Sequence, residues 1–369
     1  MPTPEALVVL VDSQDAADAA STVCAKAGVL ALDTEFARTD TFRARLCLLQ
    51  ILAGDSVFCV DMLAPLDAGP LWSGITANPC AKILHAAKQD MEVFAQRFGT
   101  LPAPLFDTQV AAALLGHPPQ AGYATLVEAE LGIVLDKSQT RTDWSRRPLT
   151  AAQIAYAGND VLHLPELAAR LGERLRAAGR EAWASEDSAT VLDPALYALQ
   201  PETAWERLGG IEYQPPVVQA RARRLAAWRE LRADRSDRPR QWILADEVLQ
   251  RLAAVGPMDI AGIEALGVVP AGVVRHSGAA LLAELRAGEA DLESGAVAVV
   301  RRERTATVDA ARAKELGALV QNRAQELGVA SEILATRGEI ASLLRGARDS
   351  RPLRGWRREV IGQQLLAAL

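Results

Sequence analysis

The chain has 369 residues, of which half are hydrophobic, and a formal net charge of −6. This length predicts two or three domains, and the apolar content excludes wholesale disorder. The N-terminus lacks a basic segment followed by a long apolar one, and no stretch approaches the ~18 apolar residues of a membrane span. We therefore expect a soluble cytoplasmic protein, with no signal peptide and no membrane partner.

The four cysteines all lie in the first quarter of the chain and show no C-x-x-C spacing. This usage indicates small core residues in a reducing compartment rather than a disulfide framework or a zinc site. The charge is uneven, because residues 1–210 carry a net −10 and residues 211–369 a net +4, with cations that are nearly all Arg. An acidic half could gather metal ions and a basic half could meet phosphates, although many ordinary helical domains also carry +4.

Strands interleaved with helices are predicted in the first hundred residues, and this alternation indicates an α/β domain. The turn sequence Ala53-Gly54-Asp55 predicts a hairpin between the strands Arg45–Leu52 and Ser56–Val60. The predicted strands are Ala6–Val11, Val29–Glu35, Arg45–Leu52, Ser56–Val60 and Ala81–His85, and the predicted helices are Ser13–Ala27 and Gln89–Phe98.

Two carboxylates, Asp33 and Glu35, end an apolar run that is typical of a buried strand. Side chains alternate along a strand, so both carboxylates point to the same face. Like charges side by side repel, and burying them unpaired is costly, which favours a divalent metal ion between them. A solvated strand edge is the commoner explanation of a D-x-E pair, so other residues must support a metal site.

Two more aspartates lie at junctions between predicted elements. Asp90, in the first turn of a helix, could simply complement the helix dipole, but strand-to-helix junctions are also where α/β sheets build their sites. Asp107 is predicted to cap a helix over Gln109–Leu115. A further short helix is predicted over Gly122–Gly132.

The polar stretch Leu135–Trp144 contains Lys137, Arg141 and Trp144. Two cations and an aromatic ring are a composition that contacts nucleic-acid backbones. A solvated loop with local ion pairs remains the alternative.

Thr150 and Gln153 form a capping-box pattern, which predicts that a helix begins there. Tyr156 and Asp160 lie four residues apart and so share one face of that helix. They could be a hydrogen-bonded pair at a domain surface, or a metal ligand beside a group that orients the attacking water.

Helical periodicity dominates after a Pro-containing connection over residues 185–216. Two helical sets separated by a spacer over Gly288–Val297 predict two small bundles. Before this connection, a helix is predicted from Pro165 to about Ala178. After it, the predicted helices are Ala220–Leu231, Asp246–Val255, Ala279–Ala287, Thr307–Gly328, Ser331–Arg345 and Trp356–Leu369.

Hard oxygen ligands are offered by four of these carboxylates, Asp33, Glu35, Asp90 and Asp160. The four histidines, in contrast, are scattered, which argues for Mg²⁺ or Mn²⁺ rather than zinc. Two such ions about 3.5–4 Å apart are a recurrent device for phosphodiester hydrolysis. A tyrosine with an ordinary pKa near ~10 is a poor base at neutral pH, so Tyr156 would instead hold the attacking water in line.

Three motifs, Leu32–Phe36, His85–Asp90 and Tyr156–Asp160, resemble the exonuclease motifs of the DEDD superfamily in its tyrosine-bearing branch. The histidine-bearing branch would place a histidine where Ala155 stands. Further stretches are similar to the ribonuclease D family, and others resemble its helicase-and-RNase-D C-terminal (HRDC) domains. The stretches similar to the ribonuclease D family are Leu135–Trp144, Arg147–Leu149 and Phe106–Gln109. The stretches that resemble HRDC domains are Leu225–Arg232, with Pro239 and Leu249 downstream, and Leu327–Arg337.

The resemblance implies an α/β ribonuclease-H-like exonuclease domain over 1–184, a linker over 185–212, and two all-α HRDC bundles over 213–292 and 293–369. It implies a 3′→5′ exoribonuclease that uses two divalent ions, Mg²⁺ or Mn²⁺. The substrates would be tRNA precursors and other structured RNAs with free 3′ ends, released as nucleoside 5′-monophosphates. A monomer without an obligate protein partner is also implied.

Roles follow residue by residue from the same resemblance. The two ions would be held by Asp33, Glu35, Asp90 and Asp160. Tyr156 would position the attacking water. Substrate-binding residues would be Thr34, Phe36, Lys137, Arg141 and Trp144. From the basic half we predict RNA contacts by Arg221, Arg223, Arg224, Arg229 and Arg232, although these could be solvated helix faces.

One departure from the family pattern is Gly158-Asn159, where better helix formers are usual; glycine costs about 1 kcal/mol against alanine inside a helix. Two alternatives stay open. The same site could hydrolyse DNA, and the fold could serve a non-catalytic nucleic-acid-binding module, although none of the four carboxylates is lost.

Overall fold

The structure, a computed structural model, describes residues 7–136, 139, 142–297 and 309–369. The described residues form two compact units. The first contains those of 1–37, 45–197 and 307–369, and the second those of 38–44 and 198–306. The segment 309–369 therefore packs with the α/β part of the chain; the domain boundaries predicted from the sequence stay a prediction.

The first unit contains six strands and most of the helices. The strands are β1 (Leu7–Val11), β2 (Leu30–Ala37), β3 (Arg45–Ala53), β4 (Ser56–Asp61), β5 (Lys82–Leu84) and β6 (Leu105–Asp107). Its first helices are α1 (Gln14–Lys26), α2 (Gly69–Ala77), α3 (Lys88–Phe98), α4 (Thr108–Ala113), α5 (Tyr123–Leu131), α6 (Ala151–Leu162), α7 (Leu164–Ala177) and α8 (Glu181–Ala189).

The second unit is helical, and the chain then returns to the first unit. The helices of the second unit are α9 (Pro216–Ser236), α10 (Arg240–Ile243), α11 (Asp246–Val255), α12 (Ile260–Ala265) and α13 (Ala271–Glu293). The last helices are α14 (Ala310–Leu327), α15 (Ser331–Leu334), α16 (Arg337–Leu344), α17 (Gly355–Arg357), a π-helical turn over Arg358–Gly362, and α18 (Gln363–Ala367).

The six strands form one mixed sheet in the order β1-β4-β3-β2-β5-β6. β2, β3 and β4 are antiparallel neighbours, whereas β1 runs parallel to β4, and β5 runs parallel to both β2 and β6. Alternation along the central strands sends side chains into two separate cores. Leu30 and Leu32 of β2 pack in the core with α1, α2 and α3, whereas Ala31 packs in the core with α6.

Beyond β6, a third core joins α4, α5, α7 and α8 to the C-terminal helices. Leu171 of α7, Leu316 of α14 and Trp356 of α17 are buried in it. The indole of Trp356 stacks on that of Trp183, with ring centroids 4.2 Å apart. The second unit has its own core around α9, α11 and α13, in which Leu225 and Leu281 are fully buried.

The predicted fold class, an α/β domain followed by a helical region, is confirmed. Strand β6 and helix α2 were not predicted. β6 has only three residues, and the run Gly69–Ala77 of α2 contains two glycines and a proline, which are typical of loops. Among the residues that the structure describes, no helix is long and apolar enough to cross a bilayer.

One predicted spacer and one predicted helix were wrong. The spacer predicted over Gly288–Val297 lies largely inside α13, where Gly288 lets the helix approach α9; an added Cβ would come 2.9 Å from the Ala220 carbonyl oxygen. The predicted helix Ser331–Arg345 is two helices, because Ala335 is extended and Thr336 begins α16 with a capping box.

Candidate active site

Strand β2 and helix α6 bring three carboxylates together. Asp33 and Glu35 point to the α6 side of the sheet, as their spacing predicts, and meet Asp160 from the last turn of α6. One carboxylate oxygen from each residue lies within 4.8 Å of those of the other two. A bulge in the β2–β3 ladder immediately follows Glu35, and bulges often re-aim side chains beside active sites.

Asp90 approaches this cluster from the opposite side of β2. It lies in the first turn of α3, is buried, and accepts a hydrogen bond from the Thr34 hydroxyl, 2.5 Å away. Thr34 alternates with Asp33 and Glu35 on β2, so it points toward α3 rather than toward α6. Thr34 is itself only 7% exposed, so its hydroxyl serves Asp90 and offers little surface to a substrate.

Burial and mutual repulsion make these acids hard to ionise. Burial, together with the charges of Asp90, Asp160 and Glu35, raises the pKa of Asp33 well above its ordinary value. The pKa of Glu35 rises to about 8, first through burial and then through the charges of Asp160 and Asp90. Burial raises the pKa of both Asp90 and Asp160 to about 7. A cation among these oxygens would favour the ionised forms.

The start of α3 is held by a residue that the sequence indicated only as a helix cap. Asp107 does cap α4, and its two carboxylate oxygens also accept the backbone N–H groups of Ala86 and Ala87, at 3.0 and 2.9 Å. Ala86 has a φ of 56°, a left-handed conformation that costs a non-glycine residue about 1 kcal/mol. Asp107 therefore stabilises the strained turn that leads into α3, whose first helical turn carries Asp90.

Helix α6 lies close against the sheet and begins with the predicted capping box of Thr150 and Gln153. Tyr156 lies one turn before Asp160, and its ring centroid is 6.2 Å from that of Trp144. A second tyrosine, Tyr123, donates its hydroxyl hydrogen to the Asn159 carbonyl and accepts the His163 N–H, both at 3.2 Å. Tyr123 thus holds the end of α6 that carries Asp160.

The donor set fits a divalent cation. Its atoms are carboxylate oxygens, which are the ligands that Mg²⁺ and Mn²⁺ prefer. Of the cluster's neighbours, His85 is engaged elsewhere, with its ring nitrogens 2.9 Å from the Thr108 hydroxyl and 3.0 Å from the Ala121 carbonyl oxygen. Nothing in this set resembles the histidine and cysteine ligands of zinc.

Comparisons with known proteins point to one family. Residues 8–176 match the model of a 3′-5′ exonuclease family, and residues 218–285 match that of the HRDC domain. The ribonuclease D of Granulibacter bethesdensis is 40% identical over 91% of this chain and 86% of its own. That of Acidiphilium cryptum is 38% identical over 97% and 92%.

The chain belongs to the ribonuclease D family. The crystal structure of Escherichia coli RNase D, described as an exoribonuclease involved in structured RNA processing, superposes with a TM-score of 0.89. The match covers 98% of both chains at 29% identity. The family prediction is therefore confirmed, whereas the assignment of Asp33, Glu35, Asp90 and Asp160 to its exonuclease motifs stays a prediction.

The predicted substrate-binding residues other than Thr34, which is described above, fall into three groups. Phe36 follows the bulge after Glu35 and is partly exposed. Trp144 is only 5% exposed and packs in the core beneath α6, which argues against contact with RNA. Lys137 and Arg141 lie outside the described residues.

The arginines predicted to contact RNA, all on α9, differ in their surroundings. Arg229 is 4% exposed and donates to the Leu244 carbonyl and the Asp246 carboxylate, so its role is structural and the predicted RNA contact is not supported. Arg221 is likewise largely buried, and it pairs with Glu289 and the Ala253 carbonyl.

The other three predicted arginines remain at least partly exposed. Arg224 forms a bidentate ion pair with Asp291, and Arg223 stacks on Trp205 with 4.2 Å between its guanidinium carbon and the ring centroid. Arg232 is exposed and lines a groove of about 500 Å³. Also lining this groove are Arg224, Trp228, Leu231, Arg235 and Glu284.

Several residues of the site were not predicted. Tyr123, the second role of Asp107 and the tight packing of Gly158 all depend on contacts between elements far apart in the chain. A capping residue and a helical glycine are common, so their signals could not be separated from ordinary ones.

Proposed function

We propose that this chain removes nucleotides from the 3′ ends of RNA by hydrolysis with two divalent metal ions, Mg²⁺ or Mn²⁺. The observation that carries the proposal is the convergence of Asp33, Glu35 and Asp160 within 4.8 Å, with Asp90 adjacent. Buried acids this close together repel, and cations compensate that repulsion when they bind.

Asp33, Glu35, Asp90 and Asp160 would hold the two ions. Once bound, such ions lower the pKa of the attacking water and stabilise the departing 3′ oxygen. Thr34 fixes the orientation of the Asp90 carboxylate through its hydrogen bond. Asp107 fixes the turn that leads to Asp90, and Tyr123 fixes the end of α6 that carries Asp160.

Tyr156 lies one helical turn from Asp160 on the same face of α6 and would orient the attacking water through its hydroxyl. Phe36, beside Glu35, would pack against the terminal nucleotide. The products would be nucleoside 5′-monophosphates, because water attacks the phosphorus and the bond to the 3′ oxygen of the shortened chain breaks.

The RNA partner would be a tRNA precursor or another structured RNA with a free 3′ end. The groove on α9 supports an RNA-holding role for the second unit, because Arg232 and Arg235 can meet phosphates and Trp228 can stack on a base. Arg224, which lines the same groove, and Arg223, the residue before it on α9, would add positive charge. We also propose that one chain suffices for activity, since the ligand set comes from a single chain.

The test is digestion of matched RNA and DNA oligomers that carry the same sequence and a 5′ label. We expect RNA to shorten from its 3′ end with release of 5′-monophosphates, identified by chromatography. Equal rates on RNA and DNA would extend the activity to both backbones. Internal cleavage, or release of 3′-monophosphates, would contradict the proposal.

A further inference from the structure

Gln50, in the middle of β3, has a buried side-chain amide beside the carboxylate cluster. The residue is 0% exposed, and neither its Oε1 nor its Nε2 atom has a hydrogen-bond partner among the residues that the structure describes. A buried amide without a partner costs roughly 1–3 kcal/mol, and buried polar groups in native proteins are nearly always paired. Such an amide beside an active site calls for an explanation in terms of what binds there.

Strand register determines what lies next to Gln50. On β2 it is paired with Asp33, and on β4 with Cys59, and directly paired residues of antiparallel strands share a face. Its neighbours along β3 on that face are Leu48 and Leu52. Of these four neighbours, Asp33 alone offers a strong hydrogen-bond acceptor.

The other groups around the Gln50 amide offer it no strong acceptor. The thiol of Cys59 lies 3.9 Å from the Ile154 carbonyl oxygen, and α6 covers this face of the sheet with apolar side chains such as Ala157 and Val161. The Gln50 amide thus lies beneath α6, one strand away from a metal ligand. Directly paired side chains have Cβ atoms about 4.5–5.5 Å apart, which is within reach of an amide on a two-carbon stem.

We propose that Gln50 is a positioning residue for the metal site, and that its amide, which makes no hydrogen bond in this structure, turns to donate to the Asp33 carboxylate when a divalent cation binds. This inference rests on the proposed function. The hydrogen bond would satisfy the buried amide and hold the Asp33 carboxylate in one orientation. Partners of this kind, one shell behind the ligands, typically change metal affinity by 10–100-fold.

The test compares the wild-type protein with Gln50→Met, which has the same unbranched length and no amide. Mn²⁺ binding, followed by calorimetry, is expected to weaken about 10–100-fold. In EDTA the melting temperature is expected to stay the same or rise, because the substitution removes a buried unpaired amide. The matched control is Leu52→Met, at the next position on the same face of β3, which should leave Mn²⁺ affinity unchanged.

Outcomes separate this inference from the metal site itself. Unchanged Mn²⁺ affinity in Gln50→Met would overturn the role of Gln50 alone, and so would a loss of melting temperature in EDTA without a loss of affinity. A folded wild-type protein that binds no Mn²⁺ would overturn the metal site and with it the role of Gln50. If Gln50→Met does not fold, the Gln50 amide resonances of ¹⁵N-glutamine-labelled protein replace it: they should shift on Mg²⁺ addition, and unshifted resonances at saturation would overturn the proposal.

Discussion

Gly158 of α6 lies directly against Val8 of β1: a Cβ atom added to Gly158 would stand 3.1 Å from Val8 Cγ2 and 3.4 Å from Cγ1. Helix α6 can approach the sheet this closely because the residue has no side chain. The approach brings Asp160 to the carboxylates of β2. The glycine that departs from the family pattern is therefore explained by packing.

Gly158→Val is expected to lower the free energy of unfolding by about 1–3 kcal/mol, because the added methyl groups overpack the interface with β1 and β4. It should also weaken Mn²⁺ binding, because α6 carries Asp160 away from β2. The matched control is Gly172→Val in α7, where, outside the helix's own backbone, no atom of the described residues lies within 4 Å of an added Cβ. Denaturation and Mn²⁺ titration of both variants test this, and equal effects of the two would contradict the packing role of Gly158.

Tyr156→Phe is expected to reduce kcat about 10²-fold with little change in Mn²⁺ affinity, because it removes the hydroxyl that we propose orients the attacking water and leaves the carboxylates in place. Tyr123→Phe is the comparison. It removes two hydrogen bonds at the end of α6 and should cost about 1 kcal/mol of stability, with a smaller effect on kcat. Loss of metal affinity in Tyr156→Phe without loss of kcat would contradict the role assigned to its hydroxyl.

The stability of the protein in EDTA is expected to fall as the pH rises from about 4 to about 8. Glu35 and Asp160 have pKa values raised to about 8 and about 7, so the folded state retains protons that the unfolded chain has lost, and each deprotonation on the way favours unfolding. Glu35→Gln should make this dependence shallower. Melting temperatures between pH 5 and pH 8 test it, and an equally steep dependence in the variant would contradict the raised pKa of Glu35.

Exposed and buried arginines of α9 should behave differently when replaced. Arg232→Ala is expected to weaken binding of single-stranded RNA and to lower the slope of log K against log salt by about 0.7, as loss of one phosphate contact requires. Arg229→Ala should instead lower the free energy of unfolding by about 1–3 kcal/mol, because the Leu244 carbonyl and the Asp246 carboxylate lose their donor. An unchanged salt slope in Arg232→Ala would indicate that this groove does not meet phosphates.

Local sequence signals located much of the fold and most of the carboxylate site. Strand geometry places Asp33 and Glu35 on the same face of β2, and the Thr150 capping box marks the start of α6. Both features could therefore be predicted from a few neighbouring residues. Asp90 was correctly expected in the first turn of its helix.

What could not be predicted depends on contacts between distant segments. Gln50 is an ordinary strand residue until its register beside Asp33 is known. Trp144 has the composition of an RNA-contacting loop, yet tertiary packing buries it. A glycine in a helical pattern can either end or destabilise the helix, or allow close packing against a neighbour. The sequence suggested the first for Gly288 and Gly158, whereas both lie where a helix closely approaches a neighbouring element.

The most direct measurement is digestion of a 5′-labelled single-stranded RNA, with and without Mg²⁺ or Mn²⁺, by the wild-type protein and by Asp160→Asn. We expect a metal-dependent ladder that shortens from the 3′ end, slower by at least about 10³-fold in the variant, because an amide is a poor ligand for these ions. Wild-type digestion rates in Asp160→Asn, or a ladder that persists in EDTA, would contradict the assignment of the carboxylate cluster as a metal-dependent nuclease site.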